Sequence, residues 1–457
     1  MKLIYSFFAT LFFIRRLAKF GLFAYLSRAL ENRTINLISL LFAPIYTLFI
    51  HNQKKFNLAK SVEKLGPVFI KFGQTLSTRP DIIGNNTAEL LRKLQDNISS
   101  FDTKLAKKII ESELGASIDS IFADFADKEI ASASIAQVYK ATLKNDEHVA
   151  VKVLRPDVYS LYKKDILVLK SLAYILQRIF SDLRNIKLIE SVLIFEKVMN
   201  QEMDFKNEAA YCSSISDNFA NDATVKIPKV YWSYTSSKVL VLEWIDGISI
   251  YDKNSLLEAQ LDVKLCLQKL SVAFFNQAFR DGCFHADLHP GNILITQEGK
   301  VAFLDFGIVS FLSERDRLAI AEILYCLITK NYYRVAEIHK EIGFIPENVN
   351  LHEFAIACRI VGEPIINRAA NLISVGHLLE NLQKITSSFG MQTQPQLIML
   401  QKTIIVLEGI GTILASDVNM WHLAEPWIKK WASKNLGLDA KILRYLRTLI
   451  TNISCKS

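Results

Sequence analysis

The motif His285-Ala-Asp-Leu-His-Pro-Gly-Asn292 is the most informative part of this chain of 457 residues, and a second motif, Asp305-Phe-Gly307, begins 13 positions after Asn292. The residues between the two motifs form two short apolar runs, which predict two strands joined by a turn. An acid, an amide and a second acid in this order predict a proton acceptor, Asp287, followed by two Mg²⁺ ligands, Asn292 and Asp305. Either motif alone would be weak evidence, but two linked motifs in the correct order are specific.

Earlier in the chain, two neighbouring segments predict a phosphate-binding hairpin. Val149-Ala-Val-Lys152 has the pattern of a strand whose lysine contacts the α- and β-phosphates of a nucleotide. The segment 131–138 ends 14 residues before that lysine and has the spacing of a glycine-rich phosphate loop with every glycine replaced by alanine. Alanine disfavours positive φ and adds a methyl group, so we expect a stiffer loop that holds nucleotide differently. The loop positions expected to hold nucleotide are Ala131, Ala133, Ala136 and Val138.

Acidic residues follow the predicted hairpin on a helical stretch. Glu208 is the candidate partner for the Lys152 ammonium, and Glu202 and Asp204 are further acids on an adjoining face. Glu243 ends a predicted buried strand, and we assign it to the nucleotide-binding set.

A polar pair lies inside an apolar helix upstream of the hairpin. Lys71 and Gln74 are three residues apart within the predicted helix 67–76, so both point to one face. Further helices are predicted over 88–98 and 103–114, the second capped by Asp102.

Together these motifs resemble the UbiB family, a branch of the protein-kinase-like superfamily. The resemblance rests on Lys71-x-Gly-Gln74, the alanine loop, Glu202-x-Asp204 and the motif that ends at Asn292. It implies an α+β, protein-kinase-like two-lobed fold, with a small β-containing N-lobe, a mainly helical C-lobe and an N-terminal helical extension. It also implies that Lys71, Gln74, Glu202 and Asp204 join Asp287 at the active site and block the cleft where a kinase accepts a peptide.

The same resemblance implies a function. Members of the family bind ATP and Mg²⁺, act as ATPases, and help prenylated phenol precursors of ubiquinone reach ring-modifying enzymes at a membrane. The expected partners are membrane lipid, prenylated quinone precursors, enzymes of ubiquinone biosynthesis and a second copy of the chain in a homodimer. The expected location is the cytoplasmic face of the inner membrane.

The pattern of charge, strands and helices, taken with the kinase-like resemblance, divides the chain into four parts: a basic apolar segment (1–60), a helical extension (61–130), an N-lobe (131–245) and a C-lobe (246–457). Five Lys or Arg residues precede the first acid, Glu31, which predicts that residues 1–50 lie on an anionic membrane surface. A buried helix pair is the alternative for this segment. The apolar segment 397–414 contains Lys402 and Glu408 and is predicted to be a core helix rather than a membrane span.

Several other functions fit the sequence less well. The net charge of +8 comes without a dense basic run, so we expect no nucleic-acid partner. The six cysteines form no Cys-x-x-Cys pair, which argues against a zinc or iron–sulfur site. A small-molecule phosphotransferase of the aminoglycoside or choline kinase type, and a non-catalytic lipid-binding scaffold, remain alternatives.

Overall fold

The structure is a computed structural model that describes residues 67–77, 100–133, 135–179, 188–366 and 395–415, with scattered residues at 60–65, 90–91, 379–390 and 426–435. The predicted membrane-binding segment 1–50 lies outside the described residues. The chain forms two compact units. The first takes the described residues up to Ala209 together with Val230–Trp244, and the second takes Ala210–Lys229 and the chain from Ile245 onward.

The first unit is built on an antiparallel sheet in the order β1-β3-β4-β6, with β2 paired to β3. Its strands are β1 (Phe122–Phe125), β2 (Ala131–Ser132), β3 (Ala136–Leu143), β4 (His148–Leu154) and β6 (Val239–Glu243). Buried and partly exposed residues alternate along β3, as expected for a strand with one face on the core. The predicted β-hairpin is confirmed by the pairing of β3 with β4. Its turn contains Asp146, at φ +65°, a conformation that aspartate tolerates better than most residues.

Helices cover this sheet on its flanks. They are α1 (Pro67–Ser77), α2 (Thr103–Leu114), α3 (Ile118–Ile121), α4 (Val158–Ile179), α5 (Leu188–Glu202) and the start of α6 (Phe205–Asn218). The predicted helix 103–114 is confirmed, because the Asp102 carboxylate accepts from the Lys104 N–H and Gly115 ends the helix at φ +67°. The apolar face of α1 shares a core with α4 and α5, in which Phe72 meets Phe195 edge to face.

The second unit contains a four-stranded sheet in the order β5-β10-β9-β7 and a two-stranded sheet of β8 and β11. The strands are β5 (Val225–Lys226), β7 (Ile248–Ser249), β8 (Cys283–His285), β9 (Ile293–Ile295), β10 (Val301–Phe303) and β11 (Val309–Phe311). The two strands predicted between the motifs are therefore present, and Gly299 at φ +68° supplies the left-handed residue of their turn.

Six helices complete the described part of the second unit beyond α6: α7 (Lys253–Glu258), α8 (Val263–Phe275), α9 (Glu314–Ile328), α10 (Tyr332–Glu341), α11 (Leu351–Ile366) and α12 (Pro395–Leu414). A π-helical turn, Asn276–Asp281, continues α8. Ser313 caps α9, because its hydroxyl group accepts from the Asp316 N–H. By length and composition, Gln396–Leu414 is the one helix in the described ranges that could cross a membrane.

Residues 210–229 differ from the domain division drawn from the sequence, which placed them in the N-lobe. They pack with the second unit because Val225 pairs in parallel with Val301 of β10. The helix α6 therefore begins in the first unit and ends in the second.

Candidate functional site

A buried ion pair joins the sheet of the first unit to α6. The Lys152 Nζ lies 2.9 Å from both carboxylate oxygens of Glu208, and the two side chains are only 14% and 6% exposed. The hairpin register holds Lys152 in β4, and the Phe205 ring lies 5.5 Å from the ammonium group. The ion pair predicted from the sequence is therefore present. A charge removed from water in this way costs free energy unless its partner stays in place, so the lysine is held in a fixed position.

The segment 131–138, here called the alanine loop, is held by hydrogen bonds from the Arg155 side chain. The Arg155 Nε donates to the Ala133 carbonyl at 3.0 Å, and its guanidinium also donates to the Ser132 hydroxyl at 2.7 Å. The Ala133 N–H donates to the Ala136 carbonyl at 2.8 Å, which closes the loop. None of the three alanines has a positive φ, so the loop uses a backbone path that alanine adopts without strain.

The four loop positions predicted to hold nucleotide do not share one environment. Ala131 is exposed and Ala133 half-buried, whereas Ala136 is fully buried in the apolar core. Because of that burial, the Ala136 methyl group is part of the core packing rather than of a surface that a ligand could contact. Val138 lies directly opposite Lys152 in the hairpin.

A second buried ion pair links α1 to the end of α5. The Lys71 Nζ lies 3.2 Å from a carboxylate oxygen of Glu202, which is buried. The structure shows a local role for Asp204, because its carboxylate accepts from the Lys206 N–H at the start of α6 at 3.1 Å, and its predicted place at the active site stays a prediction. Gln74 lies on α1 three residues after Lys71. The structure thus brings together two of the four family-motif residues, Lys71 and Glu202.

Glu243 ends β6 at a distance from Lys152. Its Cα partner on β4 is Val149, whereas Lys152 is paired with Leu240. Three residues of strand separate the two positions, which is about 10 Å along the strand. Glu243 therefore lies outside the immediate neighbourhood of the Lys152–Glu208 pair.

In the second unit, a neutral histidine supports the catalytic-type loop. His285 is fully buried, and this burial lowers the pKa of its imidazole. Its Nδ1 accepts from the Asp287 N–H at 3.2 Å, so the proton is on Nε2, which donates to the Leu304 carbonyl at 3.0 Å. This histidine ties the backbone before Asp287 to the end of β10.

The side chain of Asn292 holds the loop from Asp287 to Asn292 in its conformation. Its side-chain amide donates to the Asp287 carbonyl at 3.2 Å, and the His289 N–H donates to the same oxygen at 2.9 Å. The Asn292 carbonyl accepts from the Leu304 N–H at 2.9 Å, so Asn292 and Asp305 lie at the same end of the β9–β10 hairpin. The structure thereby brings together the two residues predicted to bind Mg²⁺.

Asp305 adopts a conformation that is uncommon for a residue other than glycine. Its φ is +55°, its side chain is exposed, and its carboxylate accepts from the Gly307 N–H at 3.3 Å. Left-handed backbone at such a position costs about 1 kcal/mol or more and is concentrated at functional sites. The neighbouring Phe306 is fully buried against His285, and this packing holds the strained residue in place.

The donor set fits Mg²⁺ bound together with a nucleotide. Mg²⁺ is usually held by one or two carboxylates while phosphate oxygens and water complete its shell, which one carboxylate and one amide oxygen satisfy. No group of three or more His, Cys, Asp or Glu side chains suited to a metal occurs in the described ranges.

One residue at this loop was missed by reasoning from the sequence. The Lys402 Nζ lies 3.0 Å from Oδ1 of Asp287, although Lys402 belongs to α12 and was interpreted as a charge on a core helix. The only signal in the sequence was a lysine in a largely apolar helix that has just one other charged residue, Glu408.

Comparisons with known proteins identify two recognised domains in the chain. Residues 93–339 match the model of the ABC1 atypical kinase-like domain, and residues 358–419 match that of the UbiB helical domain. A relative from Marinobacter nauticus, named probable protein kinase UbiB, is 39% identical over 384 residues, covering 83% of this chain and 70% of the relative. A structure of Rv3197 from Mycobacterium tuberculosis with erythromycin matches at 23% identity with a TM-score of 0.48, over 86% of this chain and 98% of that one.

Proposed function

The chain belongs to the UbiB family of atypical kinase-like proteins, and on that basis we propose that it is a Mg-ATP-dependent ATPase that supports lipid quinone biosynthesis at a membrane surface. Family membership confirms the predicted resemblance and the protein-kinase-like α+β fold. The proposal goes beyond the family in four respects: the nucleotide is ATP, the metal is Mg²⁺, the reaction is ATP hydrolysis and the lipids that it serves are quinone precursors.

The observation that carries the proposal is the Lys152–Glu208 ion pair. A lysine held by an acid from a following helix is the arrangement that positions an ammonium group for the α- and β-phosphates in kinase-like enzymes. Burial makes the pair costly to maintain, because a desolvated pair is often no more stable than apolar residues of equal volume. Such a pair is more readily explained by ligand binding than by stability.

The second unit supplies the residues for phosphoryl transfer. Asn292 and Asp305 would hold Mg²⁺, which neutralises charge on the phosphates when bound. Asp287 would accept the proton of the attacking water while the new P–O bond forms and the bond to the leaving ADP oxygen breaks. The products are ADP, inorganic phosphate and the proton released from Asp287.

The role in quinone biosynthesis rests on the family and on composition. Half of the residues are hydrophobic and the mean hydropathy is +0.19, which favours contact with lipid. We assign the protein to the cytoplasmic face of the inner membrane, where it would help prenylated phenols reach ring-modifying enzymes. The Lys71–Glu202 pair favours this function over a small-molecule phosphotransferase, because those enzymes lack the Lys71-x-Gly-Gln74 helix.

Phosphate release by the purified protein tests the proposal. Asp305→Asn should lower Mg²⁺-dependent release on the order of 100-fold. Asp146→Asn is the matched control, since Asp146 is also an exposed aspartate with positive φ (+65°) but lies in the β3–β4 turn. Its rate should equal that of the wild type. Vesicles containing anionic lipid and a prenylated phenol should raise the wild-type rate.

Two results would count against the proposal. Equal rates for the wild type and Asp305→Asn would remove the nucleotide assignment. A wild-type rate that does not change when vesicles or the prenylated phenol are added would remove the proposed role at a lipid surface and favour a soluble phosphoryl acceptor.

A further inference from the structure

The helix α12 brings a positive charge to the loop that contains Asp287. The Lys402 Nζ is 3.0 Å from Asp287 Oδ1, and the two side chains are 36% and 33% exposed. The two residues are 115 positions apart. The match to the kinase-like domain ends at residue 339, whereas Lys402 lies within the match to the helical domain, 358–419. The contact therefore links two separately recognised segments within the second unit.

Packing fixes the helix that presents this lysine. The buried positions of α12 recur at helical spacing and form one stripe: Leu400, Thr403, Ile404, Leu407, Ile410 and Leu414. The helix packs against α8 and β11 of the same unit. Since the stripe sets the rotation of α12 about its axis, the side of the helix on which Lys402 lies is also set.

The other partner is equally constrained. The Asp287 N–H is bound to His285, and its carbonyl accepts from the Asn292 side chain and from the His289 N–H. The Lys402–Asp287 ion pair therefore joins two backbone segments that are each held in place by their own contacts. A partly exposed pair of this kind contributes little to folding, so stability does not explain a lysine in an apolar helix.

The loop itself contains neither lysine nor arginine. The residue before Asp287 is Ala286, and His289 uses its Nδ1 to accept from the Gly291 N–H at 3.1 Å. The positive charge beside the Asp287 carboxylate is supplied instead from α12, 115 residues away in the sequence.

We infer that Lys402 is a positioning residue for the phosphoryl-transfer step, holding the Asp287 carboxylate in the orientation in which it receives the proton of the nucleophile. This inference rests on the proposed function. A misplacement of about 1 Å in such a group lowers a rate by roughly 100-fold, so a single ion pair is sufficient to matter. The helical domain is then part of the catalytic apparatus rather than an appended structural segment.

The test compares three substitutions in the full chain. Lys402→Met removes the charge but keeps an unbranched side chain that an apolar helix accepts, and Lys402→Arg keeps the charge. Glu408→Gln is the matched control, because Glu408 is the other charged residue of α12. We expect Lys402→Met to lower kcat for phosphate release about 10- to 100-fold. Its Kd for Mg-ADP and its Tm should stay at wild-type values, Lys402→Arg should recover most of kcat, and Glu408→Gln should match the wild type.

A double-mutant cycle separates positioning from a general structural effect. If Lys402 acts through Asp287, Lys402→Met should cause no further loss in an Asp287→Asn background. Full additivity of the two losses would overturn the inference, and so would a wild-type kcat for Lys402→Met or a parallel loss of kcat, Mg-ADP affinity and Tm. In each of these cases the wild type still hydrolyses ATP, so the proposed function stands. Absence of Mg-ATP binding by the wild type would overturn both.

Discussion

At the scale of single residues, Lys152 and Glu208 form an ion pair that is largely buried. Each nitrogen–oxygen distance is 2.9 Å, and little of either side chain reaches solvent. In such a pair the Coulomb attraction offsets the cost of desolvation only while both partners are present. Removing one charge and removing both are therefore expected to have different effects on stability.

We predict that Lys152→Met lowers the free energy of unfolding by about 3 kcal/mol, because it leaves the Glu208 carboxylate buried without its partner. The double variant Lys152→Met with Glu208→Met should recover most of that loss. Both variants should fail to bind Mg-ATP. Urea denaturation measures the stability and calorimetric titration measures the binding.

The double variant separates folding from binding, because it is expected to be nearly as stable as the wild type and yet to lack the lysine. If it binds Mg-ATP as tightly as the wild type, the pair has only a structural role and the assignment of Lys152 to the phosphates is wrong. If it is no more stable than Lys152→Met, the desolvation argument fails.

Local sequence signals identified some of these residues and not others. Lys152 and Glu208 were paired correctly from motif order, because a strand lysine followed by a helix acid is a spacing that the sequence records. The Lys402–Asp287 contact was missed because helix rotation and loop geometry determine it, and neither is encoded near either residue. Ala136 was assigned to the nucleotide loop, but the register of β3 with β4 buries its side chain.

At the scale of elements, the alanine loop and Arg155 act together. The arginine binds the Ala133 carbonyl and the Ser132 hydroxyl, and its backbone N–H donates to the Ile135 carbonyl at 2.8 Å. The same side chain lies 5.7 Å from the centre of the Phe101 ring, which precedes α2. Partial burial lowers the pKa of this guanidinium, but arginine remains charged at any ordinary pH. Arg155, which directly follows β4, thus holds the alanine loop next to the end of that strand.

We predict that Ala133→Gly changes the ratio of the affinities for Mg-ATP and Mg-ADP. Glycine gives the loop access to positive φ and removes a methyl group where the backbone approaches phosphate. The free energy of unfolding should fall by no more than about 1 kcal/mol. Thermal shift with each nucleotide measures the ratio.

Ala126→Gly is the matched control, since Ala126 is also half-buried and its N–H donates to the Lys140 carbonyl at the far end of β3. It should leave the ratio unchanged. An unchanged ratio in Ala133→Gly as well would mean that the alanines do not influence nucleotide choice.

Elements with strong local signals could be predicted from the sequence. The helix α2 has both of its ends encoded, by Asp102 and Gly115, and the β3–β4 hairpin has alternating strands around a polar turn. The two-residue strand β5 could not be predicted, because its partner is β10 and no local pattern indicates that pairing.

At the scale of the whole molecule, the chain separates into two compact units, and the candidate residues are divided between them. The first contains Lys71, Lys152, Glu202 and Glu208, and the second contains Asp287, Asn292, Asp305 and Lys402. The boundary drawn from the sequence groups residues 210–229 with the N-lobe, whereas in the structure they pack within the second unit. The motifs nevertheless indicated the family correctly, since their order along the chain is independent of that boundary.

Calorimetric titration of Mg-ATP into the full chain tests whether the protein binds this nucleotide together with Mg²⁺. We expect saturable binding with one nucleotide per chain and a Kd within about 1 µM to 1 mM, the usual range for substrates of enzymes. Binding should be lost when EDTA removes Mg²⁺ and in Asp305→Asn, and it should be retained in Asp146→Asn. Absence of binding by the wild type, or equal binding by Asp305→Asn with and without EDTA, would contradict the account.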